Sequence, residues 1–150
     1  MIEIRPACPK DAEILQANLH PLTRSELDNA GVSDDNFTGF LKDMVEAPGA
    51  SAVYVDGALA VIANSSRYSP GVRATSFVAA TCSNRDLVLA MRRWRSYERA
   101  AHPGQSGISF SYSTHPDRDR FFGVCGMKKI KETPRFCVFS DSQDALDFPQ

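Results

Sequence analysis

Two apolar runs meet at Asp56-Gly57: Ser51-Ala-Val-Tyr-Val55 before it and Ala58-Leu-Ala-Val-Ile-Ala63 after it. Two residues of this type between strand-like runs specify a hairpin closed by a type I′ turn. Both central residues of that turn need positive φ, which Gly accepts without steric cost. The chain must therefore build an antiparallel ladder at its middle, and an all-helical fold is excluded.

Around this hairpin the order of elements is readable. Ile2 to Arg5 alternates as a strand ended by Pro6, and Pro9 to Leu19 sets Ala12, Leu15 and Leu19 on one helical face. The polar segment His20 to Ser33 allows a short helix through Arg24-Ser-Glu-Leu-Asp-Asn29. Ser33 to Asn36 offers caps to a helix in which Phe37, Phe40, Leu41, Met44 and Val45 recur at three and four, and Pro48-Gly49 ends it. Ala74 to Thr81 reads as a strand, with Phe77-Val-Ala79 an apolar run suited to a central position. Ser83 or Asn84 caps a long helix from about Arg85 to Ala101. Its apolar face carries Leu87, Ala90, Met91, Trp94 and Tyr97, which leaves Arg92, Arg95 and Arg99 for solvent.

With 150 residues and 43% apolar content, the chain suffices for one domain with a single buried core. The expected layout is one domain over residues 1–140 and an acidic tail over 141–150, with Asp141, Asp144 and Asp147 in a solvated segment or a final short element. No apolar run reaches the ~18 residues of a membrane span, and the first residues read as a strand rather than a signal peptide. Cys8, Cys82, Cys125 and Cys137 form no C-x-x-C pair and lack a histidine at metal spacing, so free thiols in a reducing cytoplasm are expected and a metal site is not. The net charge of -1 conceals a split. Residues 85–135 hold 11 Lys or Arg against 5 Asp or Glu, while the remainder holds 6 against 13. One basic face able to meet an anion follows, unless these arginines simply coat the solvent side of a helix.

The stretch from Gly104 to Ser140 carries the functional reading. Ile108-Ser-Phe-Ser-Tyr112 is a strand, Ser113 to Asp117 a polar turn, and Arg118 to Cys125 a short helix that stops at Gly126-Met127 before two more strand-like runs. With the opening Ile4-Arg-Pro-Ala7 and Pro9-Lys-Asp-Ala-Glu13, this order resembles the GNAT (Gcn5-related N-acetyltransferase) fold over about residues 1–140. That is an α/β (α+β) fold with a mixed, mostly antiparallel sheet flanked by helices on both faces. The chain is also similar to divergent GNAT-like proteins of short-tailed bacteriophages in Leu22-Thr-Arg-Ser-Glu-Leu27, in the Ala80-Thr81 pair and in Arg92-Arg-Trp94. Some members of that branch are internal virion proteins, so host cytoplasm or virion is the location the resemblance implies.

The resemblance places acetyl-CoA in a gap between the fourth and fifth strands, with its pyrophosphate at the start of the long helix. That assigns cofactor binding to Phe77, Val78, Ala79, Ala80, Ser83, Asn84 and Arg85. A helix start suits this task, because its first amides are unpaired and its dipole favours negative charge. The chain departs from the family in two ways. The phosphate loop, Thr81-Cys-Ser-Asn-Arg-Asp86, has no glycine, and Phe122 stands where many GNAT enzymes carry a thiolate-protonating Tyr four residues before the helix-ending Gly. The remaining candidates for proton transfer are His115, otherwise a turn residue before Pro116, and Tyr112, otherwise a packing residue. Glu26 and Asp28 are candidate bases with a surface alternative, and Cys82 and Cys125 candidate nucleophiles with a buried, inert alternative.

Two functions remain open on sequence. One is a phage-type N-acyltransferase moving an acetyl group from acetyl-CoA to an amine on a small molecule or protein. The other is a non-catalytic GNAT-fold protein that serves as an internal virion component or binds a host protein. Nucleic-acid binding through the Arg-rich helix is disfavoured, since exposed aromatics do not interleave with the basic residues.

Overall fold

A computed structural model describes residues 1–142 of the chain. In chain order the elements are β1 (Ile2–Pro6), α1 (Pro9–Ala17), α2 (Pro21–Ala30), α3 (Asp34–Glu46), β2 (Ser51–Val55), β3 (Ala58–Ser69), β4 (Val72–Ala79), α4 (Asn84–Ala101), β5 (Ser106–Ser111), α5 (Arg118–Val124), β6 (Lys128–Glu132) and β7 (Cys137–Ser140). Asp144 and Asp147, expected in the acidic tail, lie outside the described residues.

The hairpin forms as its turn chemistry demands. Asp56 takes φ 50° and Gly57 φ 84°, so both central residues are left-handed, and Val55 pairs with Ala58 across the two-residue loop. Strand periodicity then sorts the flanking residues between faces. Val53, Val55, Val61 and Ala63 pack with Leu87, Met91 and Trp94 of α4. Ala52, Tyr54, Ile62 and Val78 pack on the opposite face with Leu15 of α1 and Phe37, Leu41 and Met44 of α3. Helices thus cover both faces of one seven-stranded sheet in the order β1-β2-β3-β4-β5-β7-β6. The β4–β5 pair is parallel and every other neighbouring pair is antiparallel.

Two elements differ from the sequence reading. The polar segment after α1 forms a ten-residue helix, α2, which extends the short helix expected through Arg24 to Asn29 at both ends. Its start is fixed by His20, whose Nδ1 accepts the Leu22 amide at 3.1 Å, and by Pro21 in the first turn. On α4, Trp94 is buried as expected and Tyr97 is half exposed, but Arg95 is buried rather than solvated. Arg95 lies one turn beyond Met91, so it shares the inward face. The partner that makes this tolerable is Asp141, whose Oδ2 sits 2.8 Å from Arg95 Nη2. Asp141 is itself largely buried, although it begins the acidic segment.

Pairing between β4 and β5 runs from Val72↔Ser106 to Thr75↔Ser109 and stops there. Beyond it β4 continues to Ala79 and β5 to Ser111, so a wedge opens inside the sheet. The hairpin that anchors the sheet's other half is the first thing to test. Gly57→Val should destabilise the fold by at least ~1 kcal/mol in urea unfolding, because a β-branched residue resists φ near 84°. A Gly57→Asn variant, which tolerates left-handed φ, should lose much less.

Candidate functional site

Where strands part inside a sheet, their backbone groups need new partners or a ligand. Here helix α2 fills the wedge from one end. Thr23 Oγ1 accepts the Ala79 amide at 2.8 Å, and the His20 amide donates to the Ala79 carbonyl at 3.0 Å. The α1–α2 connection lies along the end of β4: Leu19 bridges Ala80, the Thr81 amide donates to the Asn18 carbonyl at 2.7 Å, and Thr81 Oγ1 donates to the Leu19 carbonyl at 3.0 Å. On the β5 side, Glu26 accepts the Ser111 hydroxyl at 2.5 Å and the Tyr112 amide at 2.6 Å. Ser25 Oγ accepts the Thr114 amide at 3.2 Å and lies 3.2 Å from Ser113 Oγ. One helix therefore holds both splayed strand ends.

Burial pushes the Glu26 carboxyl above its ordinary value, while the hydrogen bonds from Ser111, Tyr112 and Ser113 and the charge of Arg118 pull the other way. Asp28, the other acidic candidate on α2, is exposed.

On the α4 side of the wedge, a cleft of about 750 Å³ opens between the start of α4, α5 and the start of α2. This is the size range of a small-molecule site. Cys82, Asn84, Arg85 and His115, four of the residues singled out from sequence, line it together with His20, Arg120 and Phe121. Ser83 is the N-cap of α4, its Oγ accepting the Asp86 amide at 3.1 Å. The amides of the first turn ahead of that bond have no intrahelical carbonyl to reach, and the helix dipole makes the spot favourable for an anion. Arg85 is 78% exposed and touches Asp86 Oδ1 at 3.4 Å, which offsets the acidic first turn. Apolar walls come from Leu87, Val88, Phe121 and Val124.

The other residues singled out fall elsewhere, and Cys82, though in the cleft wall, is not activated. Val78, Ala79 and Ala80 are buried, and Phe77 packs on the rings of Phe121 and Phe122 at 5.8 and 6.2 Å between centroids. The Ala79 backbone is already bonded by Thr23 and His20. Tyr112 does not line the cleft; its ring meets Phe136 at 5.7 Å and its amide serves Glu26. Phe122 is buried and stacked flat on Phe139, with centroids 4.1 Å apart. Burial raises the Cys82 thiol, with Asp86 adding to it, and drives that of Cys125 up to about 11. Neither is an activated nucleophile.

His20 and Arg120 are site residues that sequence reasoning missed, and His20 is the more instructive. The signal was present, because a polar residue directly before a proline at a helix start is a capping position. Burial, followed by the nearby charge of His115, holds His20 below its ordinary value. Since Nδ1 accepts the Leu22 amide, the neutral ring carries its proton on Nε2. His115 is oriented the same way, its Nδ1 accepting the Asp117 amide at 3.2 Å. Both imidazoles are set up as Nε2–H donors.

The fold matches solved structures. An acetyltransferase of the GNAT family from Bacillus anthracis superposes with a TM-score of 0.67 over 93% of each chain, at 14% identity. The fold is the GNAT fold. An acetyltransferase from Thermus thermophilus gives 0.67 at 17% identity, over 93% of this chain and 96% of that one. The paia N-acetyltransferase from Thermoplasma acidophilum, in complex with coenzyme A, gives 0.63 at 10% identity, over 95% and 99%. No protein-family model and no curated sequence matches the chain. Within this GNAT fold, no helix among the described residues is long and apolar enough to cross a membrane.

Glu26 offers a check on the wedge. A carboxyl whose folded value is raised binds protons more readily folded than unfolded, so its contribution makes stability fall as pH rises from about its ordinary value of 4.5 through the raised folded value. Glu26→Gln removes that loss. Stability measured in urea should show the variant gaining on the wild type between pH 4 and pH 7.

Proposed function

We propose that the cleft at the start of α4 binds a CoA thioester and that the protein is an N-acyltransferase. The observation that carries this reading is the meeting, in one cleft, of a capped helix start, two arginines and apolar walls within a GNAT fold. Acetyl-CoA would supply an activated acyl thioester, the electrophile for an amine. The α4 amides around Asn84, with Arg85 and Arg120, suit its phosphates by charge and by N–H direction. Phe121, Leu87 and Val88 suit its apolar arm and exclude water from it.

His20 and His115 fit the role of hydrogen-bond donors toward charge developing on an acyl oxygen or a departing sulfur. A neutral imidazole whose Nδ1 is committed to a backbone amide donates from Nε2 but cannot take a second proton without losing that bond. Deprotonation of the incoming amine then falls to water or to a group on the acceptor itself.

A second reading is favoured by a specific observation. The Ala79 backbone, where the resemblance lays the cofactor along β4, is already satisfied by Thr23 and His20. A scaffold closed in this way suits a non-catalytic GNAT-fold protein, and the likeness to phage virion proteins supplies the partner class, a virion or host protein.

Calorimetric titration with acetyl-CoA and with CoA separates the two. The first reading expects saturable binding that Arg85→Ala weakens by about 3–10-fold, a modest effect because the side chain is solvated. Absence of binding at millimolar CoA, with the fold intact by circular dichroism, selects the second. Phe122→Tyr should leave acyl transfer unchanged within about twofold, because the new hydroxyl would sit against Phe139 rather than in the cleft.

A further inference from the structure

Four buried side-chain nitrogens among the described residues carry N–H groups with no hydrogen-bond acceptor, and all belong to two consecutive residues of α4: Trp94 Nε1 and Arg95 Nε, Nη1 and Nη2. Native structures hold few such groups, and several in one place ask for a missing acceptor. Both side chains line a cavity of about 30 Å³ between α4 and the region where β4 meets β5, which shares no lining residue with the cleft described above.

The two carboxylates in its wall already face other partners. Asp141 approaches Arg95 Nη2 to 2.8 Å, but the guanidinium N–H bonds point past it, and its Oδ1 accepts the Gly107 amide at 2.7 Å. Gly107 is needed for that approach, since a Cβ there would lie 3.1 Å from Asp141 Oδ2. Glu98 accepts the Ser65 hydroxyl at 2.6 Å and faces His102 Nε2 at 3.7 Å. The charge count is also unbalanced. Three guanidinium groups, Arg73, Arg95 and Arg99, line the cavity against two carboxylates, Glu98 and Asp141. The space admits a single water-sized or halide-sized particle and is too small for a phosphate. Water accepts at most two hydrogen bonds and leaves the excess charge in place, whereas a monovalent anion accepts from several N–H groups at once and also cancels that charge.

We propose that this cavity is a binding site for one halide-sized monovalent anion, chloride in cellular conditions, held by Trp94 and Arg95. The ion joins the Trp94 and Arg95 side chains of α4 through one shared acceptor beside the β4–β5 junction, so its binding stabilises the fold.

The test uses the whole chain. Its melting temperature is measured as chloride replaces gluconate at fixed ionic strength, and crystals grown in bromide are examined for anomalous scattering. A saturable rise of about 3–6 °C is expected once chloride exceeds its Kd about tenfold. An anomalous peak within hydrogen-bond distance of Arg95 and Trp94 Nε1 is expected with it. Arg95→Met should abolish the chloride increment. Trp94→Phe, which keeps the ring packing and removes one donor, should reduce it and covers the case in which Arg95→Met does not fold. Equal melting curves in the two salts, an increment unchanged in either folded variant, or a water without anomalous signal in the bromide crystals overturns the proposal.

Discussion

The parting of β4 and β5 governs this molecule. A parallel pair that stops after Thr75↔Ser109 leaves strand ends that must be satisfied from outside the sheet. Helix α2 does this with Thr23 on one strand and Glu26 on the other. The helix is held both by polar contacts to strand ends and by Leu22 and Leu27, which dock it into the two cores on either side of the sheet. The position of α2 sets the position of His20, and His20 forms one wall of the cleft. Strand geometry, helix capping and the cleft's chemistry are thus one problem with one solution.

Much of the fold was legible because its signals are local. Asp56-Gly57 dictates a turn whatever surrounds it, and the spacing of Leu87, Met91 and Trp94 dictates the inward face of α4. Helix α2 was harder to read. Its inward residues include Thr23 and Glu26, which look like surface residues until the strand ends they serve are known. Arg95 shows the same limit. Its burial depends on Asp141, 46 positions away, and no periodicity along α4 announces that partner. In the cleft, the sequence resemblance brought out Asn84, Arg85 and His115, which the structure places together. Arg120 and His20 were not singled out, since each becomes informative only when α5 and α2 close on the start of α4.

Two polar centres sit along α4, one at its start and one past its midpoint. At its start, Ser83 and the open cleft leave positive potential exposed to solvent. Ten residues on, the buried Trp94 and Arg95 turn donors toward the small cavity beside β4 and β5. Basic character in this part of the chain is thereby divided between a solvated site and an interior one. The regional charge excess seen in sequence cannot be assigned to a single face.

The wedge also has a meaning for self-association. Past their last shared pair, β4 and β5 each present strand edge in the middle of a sheet, the kind of edge that recruits a strand from another chain. Here the Asn18-Leu19-His20 segment lies along β4 as a short added strand, and Glu26 points a carboxylate at the end of β5. An inward-pointing charge and an intramolecular strand are both devices that deny an edge to neighbours. Helix α2 thus acts as the guard of two internal edges at once, and the conformations in which it lifts away are those from which strand exchange between copies would begin.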